Sequence, residues 1–380
     1  MKARHSQSFF VFTCEKMKVK QNMLNFTVGP VMSNEKVLRI ASNSAPYFRT
    51  AEFSEIMLQN EQMMLDNLNA PDGSRCVFLT TSGTGAMESV VMNVLNNKDK
   101  VLVINGGSFG KRFLELSQLH DLDTTEIKVE FGHQIRSEQL EYFKNKGYTA
   151  LLVNMHETSS GNLYDMNLIA SFCKCNGILL IVDAISSFIA DEVDMTELNA
   201  AVVITGSQKA LAVQAGVSIV ALNREALERV KSNKEKCMYL SLKEALLNAE
   251  RGQTPFTPAV TTLLQINERL FEINQDGGIL NERKKIIARA NEFRKFISEF
   301  QFEFVPENMS NAVTCLKTEK VKATDIIALM KDEYNIWLCP NGGEFKEQVF
   351  RIGHIGNITD CDMQRLKAAF TDLKKRNIIF

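Results

Sequence analysis

Between Cys76 and Leu222 the sequence repeats one theme: short β-branched apolar runs that end in small or polar residues, separated by stretches of helical length. The runs are CVFLT (Cys76–Thr80), KVLVI (Lys100–Ile104), TEIKVEF (Thr125–Phe131), ALLVNM (Ala150–Met155), GILLIV (Gly177–Val182), AAVVIT (Ala200–Thr205) and VSIVAL (Val217–Leu222). Most lack the alternation of a strand with one wet face, so they read as strands buried on both sides. Buried strands that alternate with helices specify an α/β fold, a mainly parallel sheet covered by helices. In such sheets ligands lie beyond the carboxyl ends of the strands. The chemistry is therefore expected in the segments directly after these runs.

A chain of 380 residues exceeds one typical domain. The pattern changes after Pro258, where Val260–Asn274 and Glu282–Phe300 carry apolar residues three and four apart and read as long helices. A smaller α/β unit follows: strands at Ala312–Leu316, Ile336–Cys339 and Gln348–Ile352, a helix over Ala323–Tyr334, and a last helix from Thr359. In that last helix Met363, Leu366, Phe370 and Leu373 share a face. The expected division is a large domain over 23–260, then linking helices and a small domain over 261–380. The first 22 residues have a basic start and a short apolar patch, Phe9–Phe12, below the roughly 7–15 residues of a signal-peptide core. They read as a poorly ordered extension or an over-long start, with Met17 and Met23 as internal alternatives.

Charge and cysteine usage narrow the function classes. Lys plus Arg number 44 against 45 Asp plus Glu, so nothing pulls the whole chain toward nucleic acid or anionic lipid. Its apolar runs break well before the roughly 18 residues of a membrane span. Eight scattered cysteines suit reduced thiols in a cytoplasm better than a disulfide framework. Cys173 and Cys175 would point to different faces of a helix, and none of the five histidines pairs at zinc-like spacing, so no metal site is expected.

Three features follow strands. TTSGTGAMESVV (Thr80–Val91) places Ser82, Gly83, Thr84 and Gly85 at a helix entrance, where free N–H groups and the helix dipole favour an anion. It has no Gly-Lys-Ser/Thr of a Walker loop and no spaced glycines of a dinucleotide fingerprint, which disfavours a nicotinamide oxidoreductase. Asp183 ends GILLIVD, and a carboxylate there needs donors or a cation. Lys209 lies just past the end of the next run, where an amine of depressed pKa can form a Schiff base. Each alone has a plain reading: a Ser/Thr cap, a turn cap, a solvated lysine. Together they are an anion cup, an acid and an amine at the mouths of strands in one sheet. A pyridoxal-phosphate enzyme requires that set: a phosphate anchor, an acid opposite the pyridine nitrogen and a lysine for the aldehyde.

FTVGPV (Phe26–Val31), SGTGAME, NGGSFGKR (Asn105–Arg112), HETSSG (His156–Gly161), VDAISSF (Val182–Phe188), GSQKALAVQAG (Gly206–Gly216), TPFTPAV (Thr254–Val260) and FRIGHIG (Phe350–Gly356) resemble the class V, fold-type I aminotransferases. The resemblance spans nearly the whole chain from about Met23 and points to the alanine:glyoxylate, serine:glyoxylate and 2-aminoethylphosphonate:pyruvate transaminases. It implies pyridoxal 5'-phosphate bound to Lys209, with Asp183 at the pyridine nitrogen and Ser82, Gly83, Thr84 and Gln208 around the phosphate. It implies Phe109 stacked on the ring and Thr158 beside the ring oxygen. Thr254 and Thr257 fall in the FTP stretch, and Thr257 matches a residue that reaches the neighbouring subunit's phosphate, which implies a homodimer with shared sites. Arg351 resembles the arginine that grips the substrate acid group, a task suited to a planar fork of donors.

The resemblance also implies the reaction, a ping-pong transfer from a small amino donor (2-aminoethylphosphonate, alanine or serine) to a 2-oxo acid such as pyruvate or glyoxylate. Lys209 would carry the proton between donor and cofactor. The chain departs from its relatives at Val28, Phe48, Gln214 and Ala215, around the substrate entrance and the lysine loop, which leaves specificity open. One rival is a cysteine desulfurase or other lyase of the same fold, for which Cys339 in WLCPNGG is the candidate thiol. Another is a non-enzymatic binder, which should show decay of the lysine, the acid or the cup; all three are intact.

Overall fold

Each of the seven apolar runs becomes a strand of one sheet in the computed structural model, which describes residues 23–380. The extension expected over residues 1–22, Cys14 included, lies outside the described residues. In chain order the strands are β1 (Leu24–Phe26), β2 (Arg75–Leu79), β3 (Lys100–Asn105), β4 (Asp123–Lys128), β5 (Ala150–Asn154), β6 (His156–Glu157), β7 (Asn162–Leu163), β8 (Leu179–Asp183), β9 (Ala200–Gly206), β10 (Ser218–Leu222), β11 (Glu303–Phe304), β12 (Val313–Lys317), β13 (Ile336–Pro340) and β14 (Val349–Gly353). The large sheet runs β2-β10-β9-β8-β5-β3-β4. Only β10 is antiparallel to its neighbours, so the sheet is mainly parallel.

Period-two geometry explains why these strands read as unbroken apolar runs. Leu102, Leu151, Val153, Leu180 and Val182 join the core on one side of the sheet. Their chain neighbours Val101, Leu152, Leu179 and Ile181 join the core on the other. Both faces are dry, and each such side chain contributes roughly 1.5–3 kcal/mol on burial. The helix Gly83–Val94 covers one face with Met87, Val90, Val91 and Val94. The helix Met166–Asn176 covers the other with Ile169, Phe172 and Cys173, leaving Cys175 exposed. The strand expected at Thr125–Phe131 is displaced toward the N-terminus. As an edge strand, β4 follows the length of β3, pairing Asp123 with Lys100 and Lys128 with Asn105, and only Ile127 along it is buried.

The second sheet runs β1-β13-β14-β12-β11. The helices Ala323–Tyr334 and Asp360–Lys375 pack with it, and Met363, Leu366, Phe370 and Leu373 enter its core beside Phe293 and Ile297 of the long helix Gly278–Ile297. Thr359 caps the last helix in reciprocal hydrogen bonds with Asp362. Leu24–Phe26 pairs in parallel with β13, so the first described residues add to a sheet otherwise built from the last third of the chain. Three residues are too few to show a period, and the sequence gives no sign of this partner. Among the described residues no helix is long and apolar enough to cross a membrane.

Candidate active site

Past β2 the chain turns through Thr80 and Thr81 into the helix Gly83–Val94, whose first-turn N–H groups have no intrahelical partner. Ser82 is the N-cap, its Oγ accepting from Gly85 N at 3.4 Å. A methyl on Gly83 would meet only the end of the Ile185 side chain, whereas one on Gly85 would strike Thr81 Oγ1 and crowd its Cβ at 3.1 Å, so Gly85 is the tighter position. Thr84 Oγ1 accepts from Arg112 Nη1 at 3.1 Å, which brings a cation to the rim of the cup.

Asp183 ends β8, and its Oδ1 accepts from Ile185 N at 2.8 Å. Burial pushes its pKa up to about 6, partly opposed by that hydrogen bond and by the Lys209 and Arg112 cations. Lys209 follows β9, the strand parallel to β8, and its Nζ donates to Val28 O at 2.6 Å. Burial lowers its pKa to about 8, and Arg351 acts in the same direction while Cys339 and Asp183 oppose it. The FTVGPV segment lies along the lysine stem. Gly29 has φ 121°, and a methyl there would sit 2.7 Å from Lys209 Cδ. Gln208, next to Lys209, ties the same segment down by accepting from Val31 N at 3.3 Å through its carbonyl.

The hairpin of β6 and β7 supplies a residue that sequence reasoning missed. The buried Glu157 carboxylate accepts from Phe109 N at 3.2 Å, Gly110 N at 3.1 Å, Asn154 Nδ2 at 2.9 Å, Ser159 N at 3.2 Å and the Ser159 hydroxyl. It caps the helix Ser108–Leu119 from outside, because Gly107 at the N-cap offers no side chain. A methyl on Gly107 would strike Ser159 Oγ and Glu157. Phe109 is thereby fixed in the first turn, with the Arg112 guanidinium 5.0 Å from its ring centroid. The only sequence signal was an acid inside an otherwise neutral motif. Thr158, next in the hairpin, is buried and shares a 2.7 Å hydrogen bond with Ser186.

Arg351 comes from the other sheet. On β14 it stands in register with Cys315 on one side and Cys339 on the other. Its Nη1 donates to Thr158 O at 2.8 Å and its Nη2 to Pro340 O, while its Nε is buried without a partner. A fork held by two backbone carbonyls still has donors to spare for an acid group. A cavity of about 640 Å³ reaches Arg351, Phe109 and Ser159 from a mouth walled by Phe131 and Phe345, whose rings stack at 4.1 Å. Cys339, in register with Arg351, is half-buried.

Thr254 and Thr257 stand apart from this cluster. The Thr254 hydroxyl turns inward to Phe256 O at 2.7 Å, and Thr257 is exposed. Their loop is braced by Arg49, which donates to Thr254 O at 2.8 Å and Pro255 O at 3.1 Å. It reaches the strand leading to the cup through Ala259 N, which donates to Thr80 Oγ1 at 3.0 Å.

Known proteins resemble this chain in sequence and fold. A 42 kDa soluble hydrogenase subunit of Anabaena cylindrica is 31% identical over 344 residues, 88% of either chain. The L-aspartate–glyoxylate aminotransferase of Paracoccus denitrificans is 27% identical over 75% of this chain and 74% of its own. The subgroup IV aspartate aminotransferase of Thermus thermophilus superposes with a TM-score of 0.87 at 25% identity, covering 93% of this chain and 99% of that one. The alanine–glyoxylate aminotransferase of a Nostoc species, at 20% identity and a TM-score of 0.85 over 92% and 95% of the two chains, shares the fold. The class-V aminotransferase model matches residues 34–344. With the matched segment spanning both the glycine cup and Lys209, the chain belongs to the class-V aminotransferase family.

Proposed function

We propose that this protein uses pyridoxal 5'-phosphate to move an amino group from a small amino donor to a 2-oxo acid such as pyruvate or glyoxylate, in two half-reactions. The observation that carries the reading is a half-buried amine and a buried acid just at the ends of successive strands. Lys209 has its pKa lowered to about 8 and Asp183 its pKa raised to about 6, and Asp183 is tied through Ile185 to Gly83 of the cup. The residues fit the cofactor on structural grounds: the helix entrance after Ser82 presents first-turn N–H groups without intrahelical partners, and Arg351 keeps a buried unpaired donor.

The cofactor, when bound, supplies an aldehyde for the lysine and a ring that takes up electron density from the donor's α-carbon. This chain's residues do the rest. Ser82, Gly83 and Thr84, with Gln208, would hold the phosphate at the helix N-terminus. Asp183 would keep the ring nitrogen protonated, and Phe109 and Thr158 would hold the ring. The neutral Lys209 amine takes the α-proton from the donor and returns it one position along, as base and then acid. Arg351 orients the substrate acid group with its remaining N–H donors. Thr257 is exposed near the stacked pair Tyr239 and Phe256, which supports a homodimer in which this loop meets the partner's site. Seven described cysteines are free, in keeping with a cytoplasmic protein.

Cys339 supports a second reading, a lyase of the same fold, because it is half-buried and stands in register with Arg351. A panel of half-reactions, read from the cofactor's absorbance with 2-aminoethylphosphonate, alanine, serine and aspartate as donors, tests the first reading. Conversion that survives Cys339→Ser supports transamination. Sulfide release from cysteine that disappears in Cys339→Ser, with no donor converted, would replace it with the second.

A further inference from the structure

His156 and Ser186 form a buried relay with Thr158, and no role assigned above uses either His156 or Ser186. Ser186 Oγ is 2.7 Å from Thr158 Oγ1 and 2.9 Å from His156 Nδ1, and all three side chains are buried. A weaker approach, 3.5 Å, links Ser186 Oγ to His156 O. Burial drives the His156 pKa down to about 3, and the Lys209, Arg351 and Arg294 cations push the same way. The ring is therefore neutral and carries one N–H.

Which nitrogen holds that proton decides the direction of the relay. His156 Nε2 is buried without a partner. A buried orphan N–H is rarer and more costly than a buried orphan lone pair, so the proton belongs on Nδ1. Nδ1–H then donates to Ser186 Oγ, and the Ser186 hydroxyl donates to Thr158 Oγ1. That leaves the Thr158 proton free for a partner outside the relay. With the opposite tautomer the chain reverses, and Thr158 would spend its proton on Ser186.

We propose that His156 is a positioning residue that sets the polarity of this relay, so that Thr158 presents a hydroxyl proton to an anionic oxygen on the bound cofactor ring. The inference rests on the pyridoxal-phosphate reading above. A donor on that oxygen stabilises its anion and weakens its hold on the proton it shares with the lysine nitrogen. The visible band of the holoprotein then shifts at a lower pH.

The test is a spectroscopic pH titration of holoprotein reconstituted with pyridoxal 5'-phosphate, without substrate. His156→Leu and Ser186→Ala are each expected to raise the band's pKa by about one unit, a tenfold change in the proton equilibrium. The double variant is expected to go no further than either alone, because both break one relay. His156→Asn, whose amide N–H can replace Nδ1–H, is expected to stay near the wild-type value. Ser186→Ala removes one atom and keeps the test open if His156→Leu fails to fold. An unchanged pKa in Ser186→Ala, with Thr158→Val shifted, would overturn the proposal, as would a His156→Asn variant displaced as far as His156→Leu. Wild-type protein with no Lys209-dependent band would overturn the cofactor reading itself, and this inference with it.

Discussion

The two sheets contribute to one site by different physics. The large sheet supplies Asp183 and Lys209 from the ends of β8 and β9, where both faces of the strands are dry. Burial moves the two pKa values toward each other, from 3.8 to about 6 and from 10.5 to about 8. The second sheet supplies Arg351, whose place is set by hydrogen bonds to Thr158 O and Pro340 O. On the proposed function, the first region would make reactivity through desolvation, and the second would make recognition through directed donors. Perturbing the first should therefore change chemistry and titration, and perturbing the second should change substrate affinity.

The largest effect expected on this contrast is from Lys209→Ala, which removes the proton carrier and should lower turnover by about 10⁴-fold or more. Steady-state kinetics check it; retention of most of the activity would break the division of labour. Next is Arg351→Ala, expected to weaken both substrates by about 10–100-fold, as loss of a charged hydrogen-bonded pair implies. The effect should appear in the half-saturation concentrations of the two half-reactions, with smaller change in their limiting rates. Arg351→Lys should recover little of it, because an ammonium lacks the planar fork.

Glu157→Ala is expected to cost about 2–4 kcal/mol by leaving the N–H groups of Phe109, Gly110 and Ser159 without their acceptor, measured by denaturant unfolding. Asp183→Asn should act with the opposite sign on the apoprotein. A carboxyl whose pKa is raised on folding binds protons more tightly in the folded state. Its penalty is absent below the unfolded value of 3.8, grows as pH rises toward 6 and is fully present above. Removing the charge should stabilise apoprotein at pH 7 by roughly 3 kcal/mol while lowering activity. The stability gain should vanish near pH 4, and a gain that persists there would show that burial of charge is not its source.

The large sheet was legible because burial on both faces leaves an unbroken apolar signature, and strand ends mark where polar side chains can meet a ligand. That rule alone singles out Asp183, Lys209 and the Ser82 turn as candidates. Phe109, Thr158 and Arg351 needed the family resemblance, because their positions depend on how distant segments pack. Glu157 was hidden for a physical reason: its role is to cap a helix far away in sequence, and nothing local at His156–Gly161 betrays that partner. β1 was hidden because its pairing with β13 is entirely non-local. The shift of β4 shows that a register set by a neighbour overrides the apolar pattern of an edge strand.

The visible spectrum of the purified protein after addition of pyridoxal 5'-phosphate tests the central claim most directly. A Lys209-dependent band that bleaches with an amino donor and returns with a 2-oxo acid is the predicted result. A protein that stays colourless and indifferent to the cofactor would contradict the account.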